Sequence, residues 1–281
     1  MKILLANVST APENEPFITD VLVPVWTRNL KKTASPDTEF VFRFPEWGIE
    51  GIEGNFFHSI QAVGDQLLFH MCKDAEDEGF DAVIITCFAD PFLEHLRQFL
   101  NIPVVGIGES AFSLAAKMGR RFGVVTISPY NVFETWQKIE EYGLKEKCAG
   151  VVSTRETPEE QPAALVNANT CIKSFSVCGR ELIKLGAEVL IPGCGLMAPG
   201  VRLAPGCEKE YPDGFMELDG AAVVDVFGAA VLDAEGFIRL KNSGAGWIGR
   251  NGWYARPTAG ALKSGKMCFY DERMKFWDIS V

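Results

Sequence analysis

A nine-residue pattern occurs twice in this chain, and it constrains the fold more than any other feature. Gly79-Phe80-Asp81-Ala82-Val83-Ile84-Ile85-Thr86-Cys87 and Gly186-Ala187-Glu188-Val189-Leu190-Ile191-Pro192-Gly193-Cys194 stand at a constant spacing of 107 positions. Each copy has a glycine suited to a helix C-cap, an acidic residue, an apolar run of strand length, then a cysteine. An apolar run this short, without polar alternation, reads as a strand buried between helices. Two such units imply two α/β halves. Each cysteine then sits just past the C-terminal end of a buried parallel strand, where open α/β sheets bind ligands.

The rest of the chain keeps the same rhythm. Strands are expected at Lys2–Asn7, Thr38–Phe44, Ala82–Thr86, Val104–Ile107, Phe122–Ile127, Gly150–Ser153 and Val189–Pro192. Helices are expected at Phe17–Lys32, interrupted at Pro24, and at Asn55–Glu78, Ser110–Met118, Phe133–Tyr142, Ala163–Leu185 and Ala222–Leu240. Asp90-Pro91 reads as a further helix start, with Asp90 as N-cap. Alternation of this kind gives parallel sheets with helices on both faces. Ala198–Glu217, rich in Gly and Pro, reads as an ordered loop, and the aromatic stretch 243–258 takes no assignment.

Composition removes several function classes. With 281 residues the chain can form one or two domains and bury a large core. Its net charge of −10, with no basic cluster longer than a pair, argues against nucleic acid and for a small-molecule substrate. No apolar run reaches membrane-spanning length, so a cytoplasmic protein is expected. Eight cysteines without a Cys-x-x-Cys, and three histidines (His58, His70, His95) without ligand spacing, predict free thiols and no metal. No cofactor is expected, and a homo-oligomer is.

A free cysteine is most often a small buried apolar side chain. Position separates Cys87 and Cys194 from the other six, because each precedes a loop leading to a helix start, where exposed N–H groups favour thiolate. Two such groups facing one cleft suit proton transfer on carbon. One removes a proton from one face while the other returns a proton to the opposite face, and backbone N–H groups steady the enolate oxygen.

Val83-Ile84-Ile85-Thr86-Cys87-Phe88-Ala89-Asp90-Pro91, Pro103–Ile107, Arg121–Thr126 and Gly193-Cys194-Gly195-Leu196-Met197 resemble the aspartate/glutamate/hydantoin racemase superfamily, most closely its hydantoin and allantoin racemase branch. The resemblance implies two Rossmann-like domains related by a pseudo-two-fold axis, with the active site between them. It implies a first domain of residues 1–112 plus 226–281, to which the C-terminal helices return, and a second of 113–225. It also implies that Asn7, at the end of the first strand, and Thr126, at the end of the second domain's first strand, line the substrate pocket. Phe88, Asp90, Gly195 and Leu196, which follow the two cysteines, are assigned to substrate contact with them. The superfamily's amino-acid racemases carry Cys-Asn-Thr and Gly-Cys-Thr-His, whereas this chain has Cys87-Phe88-Ala89 and Gly193-Cys194-Gly195-Leu196. The missing hydroxyls favour a cyclic amide over a free α-carboxylate. A cis–trans isomerase or decarboxylase of the same superfamily, and a non-catalytic sensor on the same scaffold, are the rival readings.

Three further features take plainer readings. Gly106-Ile107-Gly108-Glu109-Ser110-Ala111 matches a dinucleotide fingerprint, but the next strand ends without an acid to hold a ribose. Asp90 serves better as a helix cap than as a catalytic partner, and His95 as a surface or packing side chain than as a base. The aromatics of 247–254 read as packing.

Overall fold

The computed structural model describes residues 1–8, 16–46, 57–154, 160–265 and 276–281. Two five-stranded sheets carry the fold. The first contains β1 (Lys2–Ala6), β2 (Glu39–Pro45), β3 (Ala82–Ile85), β4 (Val104–Gly106) and β10 (Phe276–Ser280), in the order β10-β2-β1-β3-β4. The second contains β5 (Phe122–Thr126), β6 (Cys148–Ser153), β7 (Val189–Pro192), β8 (Glu217–Leu218) and β9 (Ala221–Val223), in the order β6-β5-β7-β9-β8. Neither sheet is purely parallel, as the sequence led us to expect. β10 pairs antiparallel with β2 and β8 with β9, each at an edge where a hairpin or a returning chain can add a strand.

The sequence echo is an echo of hydrogen bonds. Phe80 N–H donates to the Ala75 carbonyl and Ala187 N–H to that of Leu182, closing identical helix-end turns. Gly79 and Gly186 both hold positive φ, +81° and +93°, which is why both positions are glycine. The acid of each copy latches the neighbouring strand. Asp81 accepts from Lys2 N–H at 2.7 Å and Glu188 from Arg120 N–H at 2.8 Å. Register follows, with Ile3 opposite Ala82 and Phe122 opposite Val189, so Asn7 and Thr126 end equivalent strands.

Helices fill the crossovers: α1 (Val23–Leu30), α2 (His58–Cys72), α3 (Leu93–Phe99), α4 (Ile107–Met118), α5 (Pro129–Glu141), α6 (Asn169–Lys184), α7 (Met197–Leu203), α8 (Val226–Asn242) and α9 (Ala259–Ser264). The interruption expected at Pro24 is a π-helical turn, Ile18–Leu22, running into α1 with the proline in its first turn. The expected start of α2 at Asn55 lies outside the described residues. Two expectations are corrected. The Gly- and Pro-rich stretch after Cys194 begins as α7, since a proline in a helix's first turn costs no hydrogen bond. Ala222 and Val223, read as helix, belong to the edge-side strand Ala221–Val223, and α8 starts at Val226 behind Asp225, whose carboxylate accepts from Gly228 N–H.

α8 packs on α4, β3 and β4, and Glu235 anchors it. Only 3% exposed, Glu235 accepts from Ser35 N–H, the Ser35 and Thr38 hydroxyls and Arg239. Arg43, equally buried, binds Asp278 of β10 through two nitrogens, at 2.7 and 2.8 Å, and Glu78 through one at 2.6 Å. No helix among the described residues is long and apolar enough to cross a membrane.

Candidate active site

The C-terminal ends of β1, β3, β5 and β7 converge on a cavity of about 130 Å³. Cys87 and Cys194, both partly exposed, line it with Asn7, Thr126, Phe88, Gly195 and Leu196. Asn7 is held in place by its Nδ2 donating to Thr86 Oγ1 at 3.0 Å, and that hydroxyl donates to the Ala6 carbonyl. The two cysteine loops touch. A Cβ on Gly195 would lie 2.6 Å from the Thr86 carbonyl oxygen, and one on Gly193 would lie 3.2 Å from the Phe88 ring. Gly195 is glycine because the backbone of the other lobe rests on it, and Gly193 because Val124 of its own sheet and the Phe88 ring leave no room for a Cβ.

Each sulfur faces backbone donors from the turn that follows it. Ala89 N–H bonds the Cys87 sulfur. Leu196 N–H lies 3.3 Å from the Cys194 sulfur, and Met197 N–H adds to it. These contacts favour thiolate, as the sequence suggested, but burial outweighs them. Both thiols are pushed above the ordinary cysteine range, Cys87 further by the nearby carboxylates Glu134, Asp65 and Asp90. The expectation of a thiolate resting near neutrality is therefore corrected. The helix after Cys87 begins only at Leu93, too late for its first amides to reach the sulfur.

Asp90 is the expected site residue that the structure places elsewhere. It is 2% exposed, absent from the pocket wall, and caps the next helix rather than its own. Its carboxylate accepts from Gly108 N–H at 2.9 Å, Glu109 N–H at 2.6 Å and Tyr142 Oη at 2.8 Å. Those amides are the ones a dinucleotide phosphate would use in the Gly106–Ala111 motif. Gly108 is glycine because a Cβ there would lie 2.3 Å from the Phe88 carbonyl and 2.7 Å from Asp90. His95 is exposed, its ring 4.6 Å from that of Phe92. Among the described residues no group of three His, Cys, Asp or Glu side chains could hold a metal.

Sequence reasoning missed much of the wall. Leu22, Trp26, Phe112 and Ile127 make it apolar, and Gln61, Asn131, Glu134, Thr135 and Lys138 give it a polar flank. Gln61 Nε2 and Asn131 Nδ2 hold the two Glu134 oxygens, at 3.1 and 3.2 Å. Behind them, burial and Glu134 raise the Asp65 carboxyl to about 6. Chain order was the available signal, because the helices that follow the first strand of each lobe supply Trp26 and the Asn131–Lys138 face.

Fold and site together define a two-lobed α/β protein with a thiol from each lobe in one interlobe pocket. Residues 23–234 match the family model described as Asp/Glu/Hydantoin racemase. A hydantoin racemase from Pseudomonas sp. (strain NS671) is 31% identical over 212 residues, covering 72% of this chain and 78% of that relative. The crystal structure of allantoin racemase from Pseudomonas fluorescens aligns with a TM-score of 0.71 at 28% identity, covering 92% of this chain and 97% of the other. Allantoin racemase from Klebsiella pneumoniae shares the fold at the same TM-score with 24% identity, over 94% and 98% of the two chains. The chain belongs to the Asp/Glu/hydantoin racemase family. It is an isomerase of the racemase type.

Proposed function

We propose that this racemase inverts the stereocentre of a hydantoin-like cyclic amide, without a cofactor, using Cys87 and Cys194 as its two acid/base groups. The observation that carries this reading is the contact between two equivalent loops, which brings a thiol from each lobe to one small cavity. The thiolate of one cysteine takes the proton from the carbon, and the carbonyl beside that carbon becomes an enolate. The thiol of the other delivers its proton to the opposite face, and the enolate returns to a carbonyl. One thiolate and one thiol remain, exchanged in position, so the reverse reaction starts from the product state.

Burial suits the base to the task. A desolvated thiolate is a stronger base, better matched to a weakly acidic carbon than an ordinary surface thiolate. Asn7 and Thr126, polar groups at equivalent strand ends, are placed to orient the ring amides, while Phe88 and Leu196 cover it with apolar surface. The apolar wall supports a neutral ring over a free amino acid, since the flank's two charges are already engaged, Glu134 by Gln61 and Asn131 and Lys138 by Glu141. The same reading divides the chain into 1–112 with 226–281, and 113–225. Packing of α8 on α4, β3 and β4 supports that division.

Single-enantiomer hydantoins and amino acids incubated with the protein in deuterated water test the reading. Deuterium is expected at the stereocentre of a hydantoin together with loss of optical rotation. Tight binding without exchange at any of them would favour a sensor instead.

A further inference from the structure

A second cavity, of about 420 Å³, lies against α4 from another side. Phe112 of α4 lines the cysteine pocket, whereas Glu109, Ser113 and Lys117, four residues apart, line this one. Arg97 of α3, Asp233 and Phe237 of α8, and Trp247 and Tyr254 of the following segment complete the wall. That segment is tied down. Arg250 donates to the carbonyls of Arg97 at 2.8 Å, Leu100 at 2.6 Å and Tyr254 at 3.1 Å, and its guanidinium stands 5.7 Å from the Trp247 ring centre.

The charges sort themselves. Arg97 uses Nε on the Val104 carbonyl and its other two nitrogens on the Glu109 carboxylate, so this pair neutralises itself. Lys117 and Asp233 remain, opposite in sign, facing the same space, and among the described residues neither has an ion-pair partner. Burial raises the Asp233 carboxyl above its ordinary value, against the Ser110 hydroxyl and the Lys117 charge, which favour the carboxylate. Trp247 and Phe237 add apolar surface to the same wall.

We propose that this cavity binds a free α-amino acid with an aromatic or large apolar side chain. Its ammonium meets Asp233, its carboxylate meets Lys117, and its side chain lies along Trp247 and Phe237. Both charges contribute, because a ligand that lacks one forfeits its pairing with half-buried Asp233 or with exposed Lys117. The proposal is independent of the reaction assigned to the cysteines.

Isothermal titration of the full chain with L- and D-phenylalanine tests it, with phenethylamine and 3-phenylpropanoate as controls that each lack one charge. At least one phenylalanine enantiomer is expected to bind about tenfold or more tighter than either control. Asp233→Asn and Lys117→Met are each expected to weaken that binding by a similar factor. A Cys87→Ser/Cys194→Ser double variant is expected to keep the affinity, which places the site away from the racemase pocket. No binding at millimolar phenylalanine, equal binding of a control, or affinity lost in the cysteine variant but kept in Asp233→Asn would each overturn the proposal.

Discussion

Cys87 and Cys194 are alike in position and unlike in surroundings. Two backbone N–H groups face the Cys194 sulfur, whereas Cys87 has one and stands near three carboxylates. Replacing either with alanine is expected to lower racemisation by about 10²–10⁴-fold, the usual worth of a positioned acid or base. Each single variant should still exchange the proton of one enantiomer with solvent, a different enantiomer in each case, and NMR in deuterated water reads this directly. Cys72→Ala should retain the rate, since its thiol is fully buried behind the sheet, where burial holds it up to about 12. The wild-type rate should keep rising with pH beyond the ordinary thiol range, because both folded-state values are displaced upward and the base is a thiolate. Gly195→Ala tests the loop contact. A methyl 2.6 Å from the Thr86 oxygen must move one loop, and a displacement near 1 Å costs roughly a hundredfold in kcat/KM. Gly246→Ala, with nothing within 4 Å, serves as the control.

Among the elements, β3 and β7 were legible in the sequence and the kinship of β1 and β5 was not. The first pair ends in cysteines, whose chemistry allows no substitute. The second pair reads Ile-Leu-Leu-Ala-Asn against Phe-Gly-Val-Val-Thr, since any apolar residue can fill a buried strand and only register records the equivalence. Asp90 was misplaced for a related reason. Local pattern makes it the cap of the helix it precedes, and only the tertiary fold carries its carboxylate to α4. Helices α2 and α5 face each other across the pocket mouth, and neither's polar flank showed in its own sequence. Their meeting gives a pH prediction. The folded state holds the Asp65 proton more tightly than the unfolded chain does, so stability from this group is greatest below its ordinary value of 3.8 and is lost as pH rises towards about 6. Asp65→Asn removes that loss. Its thermal midpoint should exceed that of the wild type at pH 8, by a margin equivalent to about 1 kcal/mol after allowing for solvent screening, and match it near pH 3.5.

At the scale of the molecule, α8 follows the last strand of the second sheet and packs against the first. Glu235 is the point of attachment, and Glu235→Ala strands the donors of Ser35 and Thr38. A loss of about 2 kcal/mol is expected, read as a lower urea midpoint at unchanged slope. The two sheets also differ in how the chain delivers them. Every strand of the second lies between Phe122 and Val223, whereas the first draws on residues 2–6 at one extreme and 276–280 at the other. On a translating ribosome the second sheet therefore has all its strands in hand well before the first. Until β10 emerges, β2 presents an open edge and Arg43 is without its Asp278 carboxylate, both hazards for a nascent chain. The lobe that is begun first is the one finished last, and a chaperone that shields strand edges would find its work there.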